Sequence, residues 1–464
     1  MTTAAVDHTR YLVIDIGTSS LKAAVVTTSG ELLSFIRRPV MGPSDSASAF
    51  DGHRWLEALR ETVPTVAGHY RIDAVVISGN GPTVVAVDEE GRILGQPLLW
   101  LDPRAEVLPE SVSFYLPKIL WFHRNDPHAD QVRWYLPFPE YLLFYLTGEA
   151  VAVTPGEEFS PYIWNTDDAS AAGLDTRKLP PFVQVGSVAG QVARHRSVEL
   201  GLPPGTPVVA AGSDFLMSLI GTNCLQPGMT CDRAGTSEGI NYCSAHPRQA
   251  EHLRTLPHVI PGLYNVAGIL SSTGLLFEWF REISGQRGRD YGDMMLEILR
   301  LSEDADLPWF FPSLQRPGAW QFRRGMFIGL GAQHSRAEMG RAVVLSIGFA
   351  VREALELLEG AGCSVTELVA CGGQARNGLW TQMKADMTGV PVSVPAVADA
   401  ELIGNLCCGM VALGEASSLQ AAAARAVHIV HTYHPDPAGA LRYAEQHHRY
   451  QARFRRFQEA LEGC

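Results

Sequence analysis

The sequence predicts an α/β fold, and three observations lead to this prediction. Apolar β-like runs, such as residues 11–17, 72–81 and 206–214, alternate with stretches of helical character. Two predicted hairpins have small, hydroxylated tips at Gly17 and Gly235, which lie 218 positions apart. The 464 residues are enough for two or three domains. We therefore expect two related α/β domains facing each other across a cleft.

The first half of the chain accounts for one of these domains. The runs YLVIDIG (11–17) and LKAAVVTTSGEL (21–32) predict a β-hairpin. The pattern then predicts a helix over 51–68, a strand over 72–81, two strands around an acidic turn over 83–95, helices over 118–132 and 139–148, and a buried strand over 206–214.

The second half begins with another predicted hairpin over 228–245. A strand, a glycine turn, a helix and a strand follow over 367–395, and residues 401–414 predict an apolar helix. The last fifty residues predict helix. Because no low-complexity linker separates the halves, we expect a short hinge between domains comprising residues 1–225 and 226–464.

Charge and composition exclude several classes of partner. The formal net charge is −12, whereas nucleic acids and anionic membranes are bound by basic surfaces. No apolar run reaches the length of a transmembrane helix, and the N-terminus lacks the pattern of a secretory signal. The eight cysteines form no CxxC pair, so we expect reduced, buried thiols and a cytoplasmic location. The expected partners are small molecules, and a homodimer is left open.

Asp214 is a lone carboxylate at the end of an apolar strand, in the stretch VVAAGSDFLMSLIG. Gly212 and Ser213 predict a turn that exposes this carboxylate. The stretch alone leaves two interpretations open, a solvated loop aspartate and a catalytic base.

The stretch DIGTSSLK (15–22) predicts a phosphate-binding hairpin. Backbone N–H groups at its tip, formed by Gly17, Thr18 and Ser19, can converge on phosphate oxygens. Asp15 is placed to hold Mg²⁺ or its waters, and Lys22 would add positive charge. The alternative is an ordinary hairpin with an aspartate at the end of one strand.

The stretch GTSEG (235–239) has two interpretations. It matches GxSxG, which would make Ser237 the nucleophile of a hydrolase. That motif needs a strand before it and a helix after it, whereas INYCSA (240–245) predicts strand. A second phosphate-binding hairpin therefore explains the stretch better, with a tip made of Gly235, Thr236 and Ser237.

Two further segments carry weaker signals. The turn in ACGGQARNGLW (370–380) predicts either an adenosine site on exposed backbone or a plain β–α turn, and its candidate residues are Gly372, Gly373, Gln374 and Asn377. The stretch LLWLDPRA (98–105) suits a polyhydroxylated ligand, the alternative being a core tryptophan beside a surface ion pair. Its candidate residues are Trp100, Asp102 and Arg104.

Taken in order, these segments resemble the FGGY family of carbohydrate kinases, most closely its xylulokinase-like branch. DIGTSSLKAAV and AGTSEG are similar to the two phosphate loops of the family, and GLPPGTPVVAAGSD is similar to the approach to its catalytic aspartate. PLLWLDPRA and CGGQARNGLWTQMKADMTGVPV resemble further signature regions. The resemblance implies two domains of the actin-like ATPase (ribonuclease H-like) fold, with sugar bound in the first and ATP mostly in the second.

The resemblance also implies a reaction and its cofactors, ATP and Mg²⁺. Asp214 would take the proton from a sugar hydroxyl as that hydroxyl attacks the γ-phosphate of ATP. Asp15 and Asp214 would hold Mg²⁺, and the two hairpin tips would hold the phosphates.

The sugar-side motifs depart from the family pattern. Xylulokinases commonly carry Gln-Met-His-Gly after the ISG strand, where this chain has Asn80, Gly81, Pro82 and Thr83. An expected aspartate-rich stretch is replaced by TPGEEFSP (154–161). We therefore expect a kinase whose substrate is a xylulose-like or modified ketose or a small polyol, with Asn80 among its contacts.

Two other functions remain open at this point. A sensor derived from the family would bind sugar and nucleotide without turnover, and a chaperone-type ATPase shares the superfold. The presence of both Asp214 and Asp15 favours the kinase over the sensor.

Overall fold

The computed structural model describes residues 9–17, 19–41, 50–109, 111–302, 305–313, 322 and 324–462 of the chain. They form two compact units. The first unit is made of Met1–Asn223, Pro257–Pro261 and Ala400–Val427, and the second of Cys224–Leu256, Gly262–Asp399 and His428–Cys464. The first unit therefore contains a late segment of the chain as well as the first half.

The helices and strands of the first half alternate largely in the predicted order, but the second strand predicted within 83–95 is reduced to an isolated bridge between Val87 and Ile93. In chain order they are β1 Arg10–Ile16, β2 Ser20–Thr27, β3 Leu32–Pro39, α1 His53–Ala67, β4 Ala74–Gly79, β5 Val84–Val87, α2 Leu116–Asn125, β6 Trp134–Pro137, α3 Phe138–Thr147, β7 Ala152–Thr154, α4 Ser160–Ile163, α5 Thr166–Ala171, β8 Phe182–Gln184, β9 Val188–Gln191, α6 Arg194–Leu200, β10 Pro207–Ser213 and α7 Asp214–Gly221.

The second half continues this alternation. Its elements are β11 Thr230–Ala234, β12 Glu238–Ser244, β13 Leu253–Pro257, β14 Tyr264–Leu270, α8 Thr273–Ile283, α9 Tyr291–Leu299, β15 Trp309–Phe311, β16 Met326–Ile328, α10 Arg336–Gly360, β17 Leu368–Gly372, α11 Gly378–Thr388, β18 Val392–Pro395, α12 Ala400–Ala412, α13 Leu419–Ala426, β19 Ile429–Tyr433 and α14 Pro437–Glu462.

The main sheet of the first unit has the strand order β3-β2-β1-β4-β10-β9. Strands β1 and β2 form the predicted hairpin, in which Asp15 pairs with Lys22 and Ile16 with Leu21. Strands β4 and β10 run parallel to β1, with Gly79 next to both Ile16 and Ser213. The carboxyl ends of these three strands therefore share one edge of the sheet, which is where open α/β sheets bind ligands.

The main sheet of the second unit repeats this core. Its strand order is β13-β14-β12-β11-β17-β18-β19. The hairpin β11–β12 takes the place of β1–β2, and β17 runs parallel to β11 with Ala234 next to Gly372. Each sheet thus holds an antiparallel hairpin flanked by a parallel strand, as the repeated sequence pattern predicts.

Helix α12 covers the main sheet of the first unit. Every residue from Ala400 to Met410 is buried, and the helix packs on β1, β4, β10 and α7. Its contact with α7 is so close that a Cβ atom on Gly404 would lie 2.1 Å from the carbonyl oxygen of Met217. Glycine is required there because any larger residue would push the two helices apart.

Three predictions about individual elements are wrong or incomplete. The predicted helix over 118–132 ends at Asn125, because Pro127 disfavours helical backbone at the residue before it. The last fifty residues are not all helix, since Ile429–Tyr433 forms strand β19 beside β18. The strand Leu32–Pro39 was not predicted, although it extends the first hairpin into a three-stranded meander.

The structure also bears on two predictions from composition. The seven cysteines that it describes are all buried and free of disulfides, as predicted. Among the described helices, none combines the length and apolar character needed to cross a bilayer.

Candidate active site

Asp15 is the centre of a buried polar network at the shared sheet edge of the first unit. Its side chain is 1% exposed. One carboxylate oxygen accepts a hydrogen bond of 2.8 Å from the Ser78 hydroxyl, and the other lies 3.3 Å from the Lys22 ammonium. Asn405 of α12 donates to the same Ser78 hydroxyl at 3.0 Å. Three strands and a helix from the late segment thus position this one carboxylate.

Burial raises the pKa of Asp15 to about 6. Lys22 opposes that rise, while the carboxylates of Glu401 and Asp214 add to it. Because repulsion between carboxylates acts over short distances inside a protein, Asp15 and Asp214 belong to one electrostatic cluster. Such a cluster is favourable for a cation and unfavourable for an additional anion.

Lys22 is held between two carboxylates. Its ammonium lies 3.3 Å from Asp15 and 3.4 Å from Glu401, and its side chain is 13% exposed. We predicted Lys22 as a phosphate contact, but its charge already compensates these acidic neighbours. Glu401 comes from α12, 379 positions further along the chain. Its one distinguishing feature in the sequence is that it is an acidic residue at the start of an apolar helix.

Asp214 is the first residue of helix α7 and is half-buried. The predicted turn at Gly212 and Ser213 is not formed, because both residues belong to β10; instead, β10 has a bulge between Ala210 and Gly212, where Gly212 has φ +84°, a left-handed conformation that favours glycine. The N-terminus of a helix is a favourable place for negative charge. The strand and helix therefore present the carboxylate at the same sheet edge as Asp15.

The first hairpin closes through a backbone hydrogen bond of 3.0 Å from Gly17 N–H to the Ser20 carbonyl. Ser19 lies exposed at the tip, and its carbonyl accepts from Val40 N–H at 2.9 Å. Thr18, the third predicted residue of this tip, lies outside the described residues. The described tip is small and open, as a phosphate loop requires.

The predicted sugar-side residues lie in the first unit as well. Asn80 is buried, and its side-chain oxygen accepts a 2.6 Å hydrogen bond from Thr83. The same Thr83 oxygen accepts from the backbone N–H of Trp100 at 3.1 Å. The stretches 80–83 and 98–105 are therefore joined directly, as a shared ligand site would need.

Asp102 and Arg104 bind each other. Two guanidinium nitrogens of Arg104 lie 2.5–3.1 Å from the Asp102 carboxylate, and the guanidinium lies over the Trp121 ring. Burial alone would raise the pKa of Asp102, but the hydrogen bonds from Arg104 outweigh it and lower the pKa. Lys118 donates to the Asp102 carbonyl at 2.7 Å. The pair thus fixes the loop, although it differs from the predicted surface ion pair beside a core tryptophan, since Asp102 is buried and Trp100 is half-buried.

Tyr115 is a candidate that the sequence reading missed. Its hydroxyl oxygen lies 2.7 Å from the position that a Cβ atom on Gly81 would occupy. Burial raises the pKa of Tyr115 well above its usual value, with Glu140 and Asp214 adding to the rise. The phenol is therefore neutral and able to donate a hydrogen bond near Asp214. Nothing in the stretch SFYLPK marks this tyrosine in the sequence.

The second hairpin presents an exposed tip in the second unit. Gly235 N–H donates to the Ser237 carbonyl at 2.8 Å, and Leu275 N–H of α8 donates to the Thr236 carbonyl at 3.1 Å. Strand β12 begins directly after Ser237. The strand–helix context of a hydrolase nucleophile is therefore not present here, as the sequence predicts.

The Gly-Gly turn lies beside this tip on the same sheet. Gly372 has φ +88°, and a Cβ atom there would lie 2.3 Å from the Ala234 carbonyl oxygen. Asn377 caps helix α11 by accepting a 3.0 Å hydrogen bond from Trp380 N–H. Gln374 uses both ends of its amide internally, donating to Glu238 at 3.4 Å and accepting from the Trp380 indole at 2.7 Å. The exposed backbone of Gly373 is left as the predicted ligand surface.

Comparison with known proteins finds family models that match both halves of the chain. Residues 10–114 and 107–221 match the family model for the N-terminal domain of the FGGY family of carbohydrate kinases, and residues 233–413 match that for its C-terminal domain. The chain is 24% identical over 413 residues to a xylulose kinase of Staphylococcus xylosus, covering 81% of this chain and 85% of that protein. It is 28% identical over 366 residues to an autoinducer-2 kinase of Escherichia coli (strain SMS-3-5 / SECEC), covering 73% and 68%.

Solved structures confirm the predicted fold class. The xylulose kinase from Rhodospirillum rubrum superposes with a TM-score of 0.79 at 22% identity, covering 98% of this chain and 100% of that one.

Proposed function

The chain belongs to the FGGY family of carbohydrate kinases, ATP-dependent phosphotransferases that act on hydroxyl groups, and we propose that Asp214 is its general base. The proposed substrate is a ketose or polyol, either xylulose-like or modified. The observation that carries the proposal is the placement of Asp214. Gly212, in a left-handed conformation, and the N-terminus of α7 hold this half-buried carboxylate beside the Asp15 network.

In the proposed reaction, a carboxylate oxygen of Asp214 takes the proton of a sugar hydroxyl. The hydroxyl oxygen forms a bond to the γ-phosphorus of ATP as the bond to the bridging oxygen breaks, and ADP leaves with that electron pair. Backbone N–H groups of the two hairpin tips would stabilise the negative charge on the phosphates. A base, aligned phosphates and charge neutralisation are sufficient for phosphoryl transfer.

The residues of the first unit fit Mg²⁺ in the form bound to ATP. No described group of three carboxylate, histidine or cysteine side chains is arranged as a metal cage. Magnesium in ATP-using sites keeps several waters and binds through one or two carboxylates together with the phosphates, which Asp15 and Asp214 can provide. Since Ser78 and Lys22 occupy both oxygens of Asp15, that residue would act through water. The ion would neutralise phosphate charge.

The sugar-side residues support a less polar substrate. Gly81 and Pro82 offer no side-chain hydrogen bond, and Asp102 and Arg104 are committed to each other. The Asn80 amide already bonds Thr83 and the Ile16 carbonyl, and Tyr115 keeps a neutral phenol whose pKa is raised in part by Asp214. A deoxy or otherwise modified ketose needs fewer hydrogen bonds than xylulose, so we infer that such a sugar is preferred.

The test is ADP release screened over ketoses, aldoses, polyols and deoxy-sugars. The wild type should release ADP only with certain sugars, and Asp214→Asn should lose at least about a hundredfold in kcat while still binding sugar and Mg-ATP, because general bases typically contribute that much. Full activity of Asp214→Asn would contradict its assignment as the base. Efficient turnover of xylulose, ribulose or glycerol with modified sugars inert would overturn the substrate proposal. Binding of sugar and ATP without any turnover by the wild type would favour the sensor.

A further inference from the structure

Lys384 is a buried cation in the second unit that the reaction as proposed does not use. It lies on helix α11 with its side chain 2% exposed. Its ammonium is 2.5 Å from the Asp232 carboxylate and 2.7 Å from the Glu238 carboxylate, and both of these side chains are fully buried. Three ionisable groups are thus held together away from water.

This cluster is a poor device for stability alone. Removing ions from water costs free energy. A protein in which well-packed apolar residues of similar volume replace a buried ion cluster is often at least as stable. One oxygen of Asp232 has no hydrogen-bond partner among the described residues. Burial raises the pKa of Asp232 to about 7, with Lys384 opposing and Glu238 adding to the rise. A cluster that is costly and incompletely satisfied calls for a reason other than stability.

The positions of the three residues supply that reason. Asp232 lies on β11 and Glu238 is the first residue of β12, so they flank the tip Gly235–Ser237 on its two strands. Lys384 lies on α11, the helix that follows the Gly-Gly turn. Gln374, in that turn, donates to the second oxygen of Glu238 at 3.4 Å. One cation therefore joins both strands of the second hairpin to the segment carrying the turn.

We propose that Lys384 is a positioning residue for ATP, which sets the second phosphate hairpin at a fixed distance from the Gly-Gly turn. The inference rests on the proposed function, because it assigns both segments to the nucleotide. Backbone donors contribute to phosphate binding only when they are already aligned, and displacement by about 1 Å can cost roughly a hundredfold. A salt-bridged lysine on a rigid helix supplies that alignment without touching the nucleotide.

The test compares nucleotide and sugar binding in variants of the full chain. Lys384→Met should raise the Kd and KM for Mg-ATP by roughly 10- to 100-fold and leave the KM for sugar within about twofold. Lys384→Met leaves two buried carboxylates without their cation. It is therefore compared with the neutral triple variant Asp232→Asn/Glu238→Gln/Lys384→Met. Glu238→Gln alone keeps every buried cation and is the mildest change, so it provides the binding comparison where the others do not fold.

Arg341→Met is the matched control. Arg341 is a buried cation of the same unit that donates to the carbonyls of Leu299 and Leu301, distant in sequence from the nucleotide segments. Arg341→Met should lower the Tm and leave the Kd for Mg-ATP unchanged. This result would separate general destabilisation of the protein from a loss of nucleotide positioning.

Each outcome of these measurements either supports or contradicts the positioning role of Lys384. Folded variants of the triad with unchanged Mg-ATP affinity would overturn the positioning role, as would an equal rise in the Kd values for ATP and sugar. A wild type that binds Mg-ATP but turns over no sugar would contradict the proposed reaction and leave the binding comparison decisive for Lys384. A wild type that does not bind Mg-ATP would overturn both.

Discussion

At the scale of single residues, the chemistry of the first unit depends on how exposed each carboxylate is. Ser78, Lys22 and Asn405 hold Asp15, while Asp214 is placed at the beginning of a helix with part of its surface open. A buried, satisfied carboxylate is suited to fixing charge, and a half-open one is suited to exchanging a proton.

Tyr115→Phe tests the sugar side at this scale. Removing the phenol oxygen near Gly81 should raise the KM for sugar by about 2- to 10-fold, the value of one lost neutral hydrogen bond. The KM for ATP should not change, and the Tm should change by no more than a few degrees. Steady-state kinetics with each substrate varied in turn is the measurement, and an unchanged KM for sugar would contradict a contact with Tyr115.

The pKa of Asp15 predicts a pH dependence. Because that pKa is about 6 in the folded protein, Asp15 gains a proton as the pH falls through 6 and loses its ability to favour a cation. Mg-ATP affinity should therefore decline below about pH 6, measured by calorimetry between pH 5 and 8.

The same pKa fixes the sign of its effect on stability. The folded pKa lies above the usual value of 3.8, so the folded state binds the proton more tightly. The free energy of unfolding contributed by this group should fall as the pH rises from about 4 to 6 and stay level above that range.

Glu140→Gln is the control for the affinity profile. It removes another buried carboxyl group of raised pKa and should leave the inflection in Mg-ATP affinity in place. A flat affinity profile in the wild type would contradict the role of Asp15.

At the scale of elements, the hairpins and the strand before Asp214 could be predicted from sequence because each is local. Glycine, hydroxylated residues and apolar runs lie within about ten residues of one another there. The residues that could not be predicted from sequence lie on distant elements: Glu401 and Asn405 on α12 contact Lys22 and Ser78 only in the folded protein. Gln374 and Lys22 lie in recognisable motifs, but each also bonds a residue far away in the chain, Glu238 at 136 positions and Glu401 at 379 positions.

Gly404→Ala tests the contact between α7 and α12. A methyl group there would meet the Met217 carbonyl oxygen at 2.1 Å, so overpacking should cost about 1–3 kcal/mol in the free energy of unfolding. Since α12 carries Glu401 and Asn405, kcat should fall as well. Gly360→Ala is the control, because a Cβ atom on Gly360 meets nothing within 4 Å. Equal Tm values for the two variants would contradict the close contact.

At the scale of the whole molecule, the chain order and the spatial units do not coincide. The predicted domains were continuous, residues 1–225 and 226–464, whereas the first spatial unit also includes Ala400–Val427. Continuity was the natural expectation from sequence, because nothing in ELIGNLCCGMVALG distinguishes a helix that covers a distant sheet from one that covers its neighbours.

A fragment of residues 1–225 tests this organisation. Without α12, the faces of β1, β4 and β10 that it covers would be exposed to water, so we expect the fragment to aggregate or to unfold without cooperativity. Adding residues 400–427 through a flexible linker should restore a cooperative transition, followed by circular dichroism on heating. A sharp transition in the unextended fragment would contradict the structural role of α12.

The return of α12 to the first unit has a consequence for how the chain folds during synthesis. When residue 223 has left the ribosome, the sheet it belongs to still lacks the helix Ala400–Ala412, which is more than 170 residues away from emerging. At about 5–20 residues per second, that interval lasts on the order of 10–40 s. During this interval, an apolar face of the sheet is exposed and can form non-native contacts. Slow translation of the second half or loss of chaperones should therefore harm the first half of this protein most.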